Sequence, residues 1–180
     1  MGDVLTTLES WVSKDSGRLL YSFLDVNGRE IERLTRETFY RRVLTIASHL
    51  QASRILRPGS PVLLAYPPGL EMICALFACT RAGLIPAPVA APVTQGLQAA
   101  LYKMEYIARD CQAQAILTTQ ECRDHVLSHL AGSCPTGLGP ACIGALSWIA
   151  TDEFTEMMGG VRDPCRSPLL FLQYTSGSTS

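Results

Sequence analysis

The spacing of apolar and polar side chains changes several times along the first third of the chain. Helical spacing gives way to two short strand-like runs that flank Asn27-Gly28, a dipeptide typical of the tight turn of a β-hairpin. Helical spacing then returns, and Thr35 is placed to cap the first turn of that helix. The elements predicted here are a helix over 4–12, strands over 19–24 and 29–34, and a helix over 36–51.

After Pro61 short apolar runs alternate with longer helical segments. The run 61–66 is apolar at every position but its last, as is typical of a strand buried on both faces of a parallel sheet. The three prolines within 84–93 restrict any strand there to the first residues. The predicted strands cover 61–66, the start of 84–93, 115–118, 146–150 and 168–174, the helices 70–82, 97–108 and 121–130, and a surface loop 132–144. This alternation predicts an α/β fold, with a mainly parallel sheet and flanking helices.

Composition supports a folded domain and argues against two classes of function. Hydrophobic residues make up 47% of the 180 residues and charged residues 17%, which suits a well-filled core. The net charge of −1 provides no basic surface for nucleic acid. The longest apolar stretch, 70–85, contains Glu71 and Arg81 and is too short to cross a bilayer, so no membrane span is predicted.

The cysteines and histidines allow two interpretations. The chain has seven cysteines, an odd number without C-x-x-C spacing, and no secretory segment, which predicts reduced core thiols in a cytoplasmic protein. Cys122, His125 and His129 share one face of a predicted helix, with Cys134 nearby, and such a set could bind zinc. The same spacing also arises on a half-exposed helix with incidental histidines, and we favour that interpretation.

Two acidic residues near the helix over 97–108 offer no catalytic pair. Glu105 and Asp110 are spaced so that they do not meet on one helical face, and no third group converges on them in the sequence. We therefore predict that both are solvated helix charges rather than a general acid and base.

A run of hydroxyl residues and glycine follows the last apolar segment. Residues 175–180 read Thr-Ser-Gly-Ser-Thr-Ser. Glycine lets backbone N–H groups turn toward an anion, and hydroxyl side chains add donors without fixed charge, so the run is suited to binding phosphate. By composition alone a polar surface turn fits equally well. No Gly-Lys pair and no G-x-G-x-x-G run that opens a helix occur, which excludes a Walker loop and a dinucleotide fingerprint.

Four segments carry a resemblance to a known family. The run 173–180 (QYTSGSTS) resembles the phosphate-loop signature of the adenylate-forming enzymes, which include acyl-CoA and aryl-CoA ligases, luciferases and peptide-synthetase adenylation domains. Residues 34–39, 66–71 and 82–88 are similar to further segments of that family. Within that family, the chain resembles the fatty acyl-AMP ligases, the branch that feeds polyketide and lipopeptide assembly lines. The resemblance lies in the hairpin sequence FLD-x-NGRE, the YPPGLE run and a serine at position 180.

The resemblance implies a two-step reaction. A fatty acid carboxylate attacks the α-phosphate of ATP bound with Mg²⁺, and the acyl group of the resulting acyl-AMP passes to a phosphopantetheine thiol on an acyl carrier protein or a polyketide or peptide synthetase. The loop would hold the ATP phosphates, while Gln173 and Tyr174 would set its angle. The phosphate-binding residues implied are Thr175, Ser176, Gly177, Ser178, Thr179 and Ser180. The resemblance places neither a catalytic residue nor a metal ligand in this chain.

The resemblance also bears on the organisation of the protein. It implies that residues 1–180 are part of an N-terminal AMP-binding domain, truncated within the phosphate-binding loop of an ATP-dependent acid–AMP ligase. The family binds adenine, ribose and the acyl chain through later segments and a C-terminal lid, so we expect these 180 residues alone to form no acyl-AMP. The alternatives are an acyl-CoA ligase or a peptide-synthetase adenylation domain, or a non-catalytic remnant or interaction module of the same fold.

Overall fold

The chain begins with a helix, a hairpin and a second helix, as the sequence predicts. The computed structural model describes residues 4–92, 96–132, 141–163 and 169–175. In the hairpin, Gly28 has a φ of +79°, a conformation that glycine adopts without strain. The hydroxyl of Thr35 accepts from the amide of Thr38, which confirms the predicted cap. The elements are α1 (Val4–Lys14), β1 (Leu19–Leu24), β2 (Glu30–Thr35) and α2 (Arg36–Ala52).

A four-stranded parallel sheet follows, and it confirms the predicted α/β fold. The elements are β3 (Pro61–Leu64), α3 (Glu71–Ala82), β4 (Ile85–Pro88), α4 (Leu97–Asp110), β5 (Ala115–Thr118), α5 (Gln120–Gly132), α6 (Ala141–Ala145) and β6 (Ser147–Ala150). The strand order in the sheet is β4-β3-β5-β6, so the first strand, β3, lies in the interior with β4 on one side and β5 on the other.

Strand β3 is buried on both faces and divides the interior into two cores. Val62 and Leu64 point into a core with α2 and α3, where Phe39 is fully buried. Leu63 points the opposite way, into a core with α4, α5 and α6 around Leu101. This alternation follows from the two-residue period of a strand and explains why the run is apolar at successive positions.

The surface loop predicted over 132–144 is wrong for its described residues, because Gly132 ends α5 and 141–144 lie in α6. Residues 133–140 lie outside the described residues, but α6 begins at Ala141, so a loop through 144 is wrong. Ile143 is fully buried, and its carbonyl oxygen accepts a hydrogen bond from the indole of Trp148 at 3.0 Å. Tertiary burial therefore stabilises a short helix that the local glycine content argues against.

Residues 169–174 run beside β4 but do not form a strand, so the strand predicted over 168–174 is wrong for that described part, while position 168 lies outside the described residues. The amide of Leu172 donates to the carbonyl oxygen of Pro86 at 2.9 Å. The segment thus meets the sheet edge through this main-chain bond without continuing into a ladder.

The prolines of β4 explain why the ladder stops. The amides of Ile85 and Val89 donate to carbonyl groups on the β3 side, so the intervening positions 86 and 88 face the outer edge of the sheet. Both positions are proline, which has no N–H group. The outer edge of β4 can therefore accept hydrogen bonds but cannot donate them at these residues, and a paired strand would lack half of its bonds.

A partly buried polar network joins α2 to α3 and to the end of β6. The guanidinium of Arg42 donates to both carboxylate oxygens of Glu71 and to the carbonyl oxygens of Thr151 and Phe154. The Thr151 hydroxyl donates to Glu71 at 2.7 Å and lies 2.9 Å from the hydroxyl of Tyr66. Burial raises the pKa of Tyr66 well above its usual value, so this hydroxyl stays protonated.

We expect Arg42→Met to lower the free energy of unfolding by about 2–3 kcal/mol, because it leaves the Glu71 carboxylate partly buried without its cation. Urea unfolding of the chain measures the loss. The double variant Arg42→Met/Glu71→Leu should lose less than the sum of the two single variants, since no charge then remains unpaired.

Arg33→Met is the matched control. Arg33 pairs with Glu30 at the surface, where the side chains are 64% and 39% exposed, and its loss should cost less than about 0.5 kcal/mol. Equal losses for Arg33→Met and Arg42→Met, or strict additivity in the double variant, would contradict the assignment.

Candidate functional site

The predicted phosphate loop lies mostly beyond what the structure describes. Thr175 is described and is exposed, whereas Ser176, Gly177, Ser178, Thr179 and Ser180 lie outside the described residues. The assignment of these six residues to ATP phosphates therefore stays a prediction. What the structure does describe is the approach to the loop and the surface beside its first residue.

An open cleft of about 370 Å³ lies beside Thr175, at the carboxyl end of β4. This is the end of a parallel sheet at which open α/β folds bind their ligands. Among the described residues that line the cleft, Lys103 alone carries a charge. The lining residues are Pro88, Val89, Ala90, Ala100, Lys103, Met104, Ile107, Tyr174 and Thr175. A lysine and a threonine hydroxyl on the wall of one cleft suit an anionic group.

The residue that precedes Thr175 is fixed to α4 by its side chain. The hydroxyl of Tyr174 donates a short hydrogen bond, 2.5 Å, to Oδ2 of Asp110, the last residue of α4. The ring packs against the core on the α4 side of the sheet. Burial and the bond to Asp110 raise the pKa of Tyr174, so the hydroxyl remains a proton donor across the physiological range.

The prediction that both acidic residues near the end of α4 are solvated charges is wrong for Glu105 and correct for Asp110, which is exposed. Glu105 pairs with Arg109 at 2.5 Å one helical turn away, and the Glu105 side chain is only 12% exposed. Asp110 binds Tyr174, which is 64 positions later in the chain. A contact between residues so far apart leaves no periodic signal in a single sequence, so sequence reasoning could not have found it.

Hydrogen bonds join the chain segments that follow β3 and β5 at the topological switch point of the sheet. The amide of Ala65 donates to the carbonyl oxygen of Leu117 at 2.9 Å, and the Thr118 hydroxyl donates to the carbonyl oxygen of Ala65 at 2.6 Å. These bonds close the two strands against each other just beyond the sheet.

The thiols and histidines do not gather into a metal site in the described part of the chain. No group of three or more His, Cys, Asp or Glu side chains there could hold a metal ion. The thiol of Cys122 points toward the carbonyl oxygen of Ala65, and His129 contacts Gln98 instead. Cys134, the fourth residue of the zinc alternative, lies outside the described residues.

The described helices include none with both the length and the apolarity that a membrane crossing requires.

Cys74 and Cys79 are buried free thiols, as the sequence predicts. Burial raises the pKa of Cys74 to about 12 and raises the pKa of Cys79 as well. Both thiols are therefore protonated side chains of the core rather than reactive groups.

Residues 8–180 match the model of the AMP-binding enzyme family, so the chain belongs to that family. It is similar to the medium-chain-fatty-acid–[acyl-carrier-protein] ligase JamA of Moorena producens, with 33% identity over 92% of this chain and 27% of the relative. It is 28% identical to the long-chain-fatty-acid–AMP ligase FadD32 of Mycolicibacterium smegmatis, over 98% of this chain and 27% of that protein.

Solved structures of the family share the fold. The fatty acyl-adenylate ligase of L. pneumophila, crystallised with acyl adenylate and pyrophosphate, superposes with a TM-score of 0.69 and 25% identity. That alignment covers 96% of this chain and 28% of the Legionella chain. The chain thus spans little more than a quarter of the length of the JamA and FadD32 ligases.

We expect Cys74 and Cys79 to resist iodoacetamide in the folded chain at pH 8, because thiolate is the reactive form and burial keeps both thiols protonated. Peptide mass spectrometry after timed labelling measures the rates. Half-buried Cys111 should be labelled faster, and all three should be labelled at similar rates in urea. Labelling of Cys79 in the folded chain as fast as in urea would contradict its placement.

Proposed function

We propose that this chain is the first part of the N-terminal domain of a fatty acyl-AMP ligase, an ATP-dependent acid–AMP ligase of the cytoplasm. The observation that carries the proposal is the family match over residues 8–180, joined to relatives whose names describe fatty-acid ligation to AMP or to a carrier protein. The reaction proposed joins a fatty acid to the α-phosphate of ATP and releases pyrophosphate. The acyl group then passes to the phosphopantetheine thiol of a carrier protein or of a polyketide or peptide synthetase.

The loop is proposed to stabilise the leaving pyrophosphate. Hydroxyl and backbone N–H donors spread over the loop would contact several phosphate oxygens at once and keep the leaving group in line with the attacking carboxylate. The residues proposed for this role are Thr175, Ser176, Gly177, Ser178, Thr179 and Ser180. Support comes from the cleft at the carboxyl end of β4, which both Thr175 and Lys103 line.

Mg²⁺ fits this chemistry as a partner of the nucleotide rather than of a protein cage. Among the described residues that line the cleft no carboxylate is present, so the cation would be held chiefly by phosphate oxygens, with loop hydroxyls as further oxygen ligands. When bound, Mg²⁺ would supply positive charge that stabilises the negative charge of the leaving pyrophosphate. The residues of this chain contribute orientation and hydrogen bonds.

We expect the full-length protein to catalyse fatty-acid-dependent exchange between ATP and radiolabelled pyrophosphate, and to release acyl-AMP. Coenzyme A should yield no acyl-CoA, whereas a phosphopantetheinylated carrier protein should become acylated. The 180-residue chain by itself should show no exchange.

The same assay separates the alternatives. Formation of acyl-CoA would assign the protein to the CoA ligases, and exchange driven by amino acids would assign it to the peptide-synthetase adenylation domains. No exchange with any acid, in a full-length protein that is folded, would favour a non-catalytic module.

Ser178→Ala in the full-length protein should lower the kcat of the exchange reaction by about tenfold or more, because it removes a donor to charge that develops in the transition state. Ser13→Ala, which removes a hydroxyl bonded within α1 at the surface, is the matched control and should leave the rate unchanged. Equal rates for the two variants would argue against a phosphate-binding role for Ser178.

A further inference from the structure

The approach to the phosphate loop is held by main-chain and by side-chain hydrogen bonds. The main chain is held by the bond from the Leu172 amide to the Pro86 carbonyl oxygen, and the side chain of Tyr174 is held by Asp110. Because positions 86 and 88 of β4 lack N–H groups, the sheet edge cannot fix the segment through a regular ladder. The side-chain bond of Tyr174 therefore fixes the chain at the residue that directly precedes Thr175.

The place of Asp110 at the end of α4 is not explained by helix stability. The carboxyl end of a helix carries partial negative charge, and a carboxylate in the last turn is disfavoured there. Arg109, the nearest cation along the helix, is paired with Glu105 instead. The contact that Asp110 does make is with Tyr174, and a hydrogen bond to a charged acceptor is stronger than one between neutral groups.

We propose that Asp110 is a positioning residue for the reaction of this family: by binding the hydroxyl of Tyr174, it fixes the first residue of the phosphate loop against α4. The inference rests on the proposed function for its catalytic readout. Tyr174 and Thr175 line the cleft together with Met104 and Lys103 of α4. The bond between Tyr174 and Asp110 ties the segment that carries Thr175 to the helix that contributes Lys103.

The catalytic test is a double-mutant cycle in the full-length protein with Tyr174→Phe, Asp110→Ala and both together. Each single variant should lower kcat/KM for ATP about tenfold in pyrophosphate exchange, and the KM for the fatty acid should stay within about twofold. The double variant should be no worse than either single variant, because both remove the same bond. Asp110→Asn, whose amide oxygen can still accept, should recover much of the rate.

Tyr106→Phe is the matched control, since Tyr106 lies on α4, is 53% exposed and is not among the described residues that line the cleft. Its kinetics should equal those of the unsubstituted protein. Unchanged kcat/KM in Tyr174→Phe and Asp110→Ala would overturn the proposal. A double variant that loses the product of the two single effects would overturn it as well, because the residues would then act independently.

A second readout does not depend on catalysis. Hydrogen exchange followed by mass spectrometry should show faster exchange in the peptide over 169–175 for Tyr174→Phe and Asp110→Ala, with the peptides of β3 and β5 unchanged. Exchange at 169–175 that equals that of the unsubstituted protein would overturn the proposal. If the unsubstituted protein is inactive with every acid, the proposed function fails. The hydrogen-exchange rates at 169–175 still decide whether Asp110 fixes the segment.

Discussion

The Arg42 guanidinium joins α2 to two other parts of the fold, the start of α3 and the segment just after β6. It donates to both carboxylate oxygens of Glu71, the first residue of α3. It also binds the carbonyl groups of Thr151 and Phe154, just after β6. The leading helix–hairpin–helix unit is thereby tied to the parallel sheet at the carboxyl end of its strands.

Much of this fold could be predicted from the sequence because its main elements rest on local signals. The Asn27-Gly28 turn, the Thr35 cap and the two-sided apolar run that became β3 each specify a conformation within a few residues. The strand expected over 168–174 failed for a different reason. Its own residues favour a strand, but the partner edge lacks donors at Pro86 and Pro88. Whether a strand forms depends on its neighbour as much as on its own composition.

The candidate site shows the same limit more strongly. The sequence of the loop could be matched to a family, and the helix that contains Lys103 could be predicted. That Lys103 and Thr175 line the same cleft could not be derived from the spacing of residues in the sequence. Asp110 shows why: along its helix it has the pattern of a solvated charge, and its partner comes from a segment that approaches the sheet edge much later in the chain. Hydrophobic periodicity reports which face of a helix is buried. It does not report which side chains from distant segments bind at the helix end.

The two prolines of β4 have a further consequence for solubility. An exposed sheet edge is a template on which a strand of another chain can add, and natural proteins block such edges with proline, among other devices. Leu169, Leu170 and Phe171 lie beside this edge and are 50%, 52% and 43% exposed. An apolar segment next to a competent edge would favour intermolecular pairing and aggregation. Because the outward positions of β4 cannot donate, the residues that prevent a regular strand within the chain also protect it from pairing with its own copies.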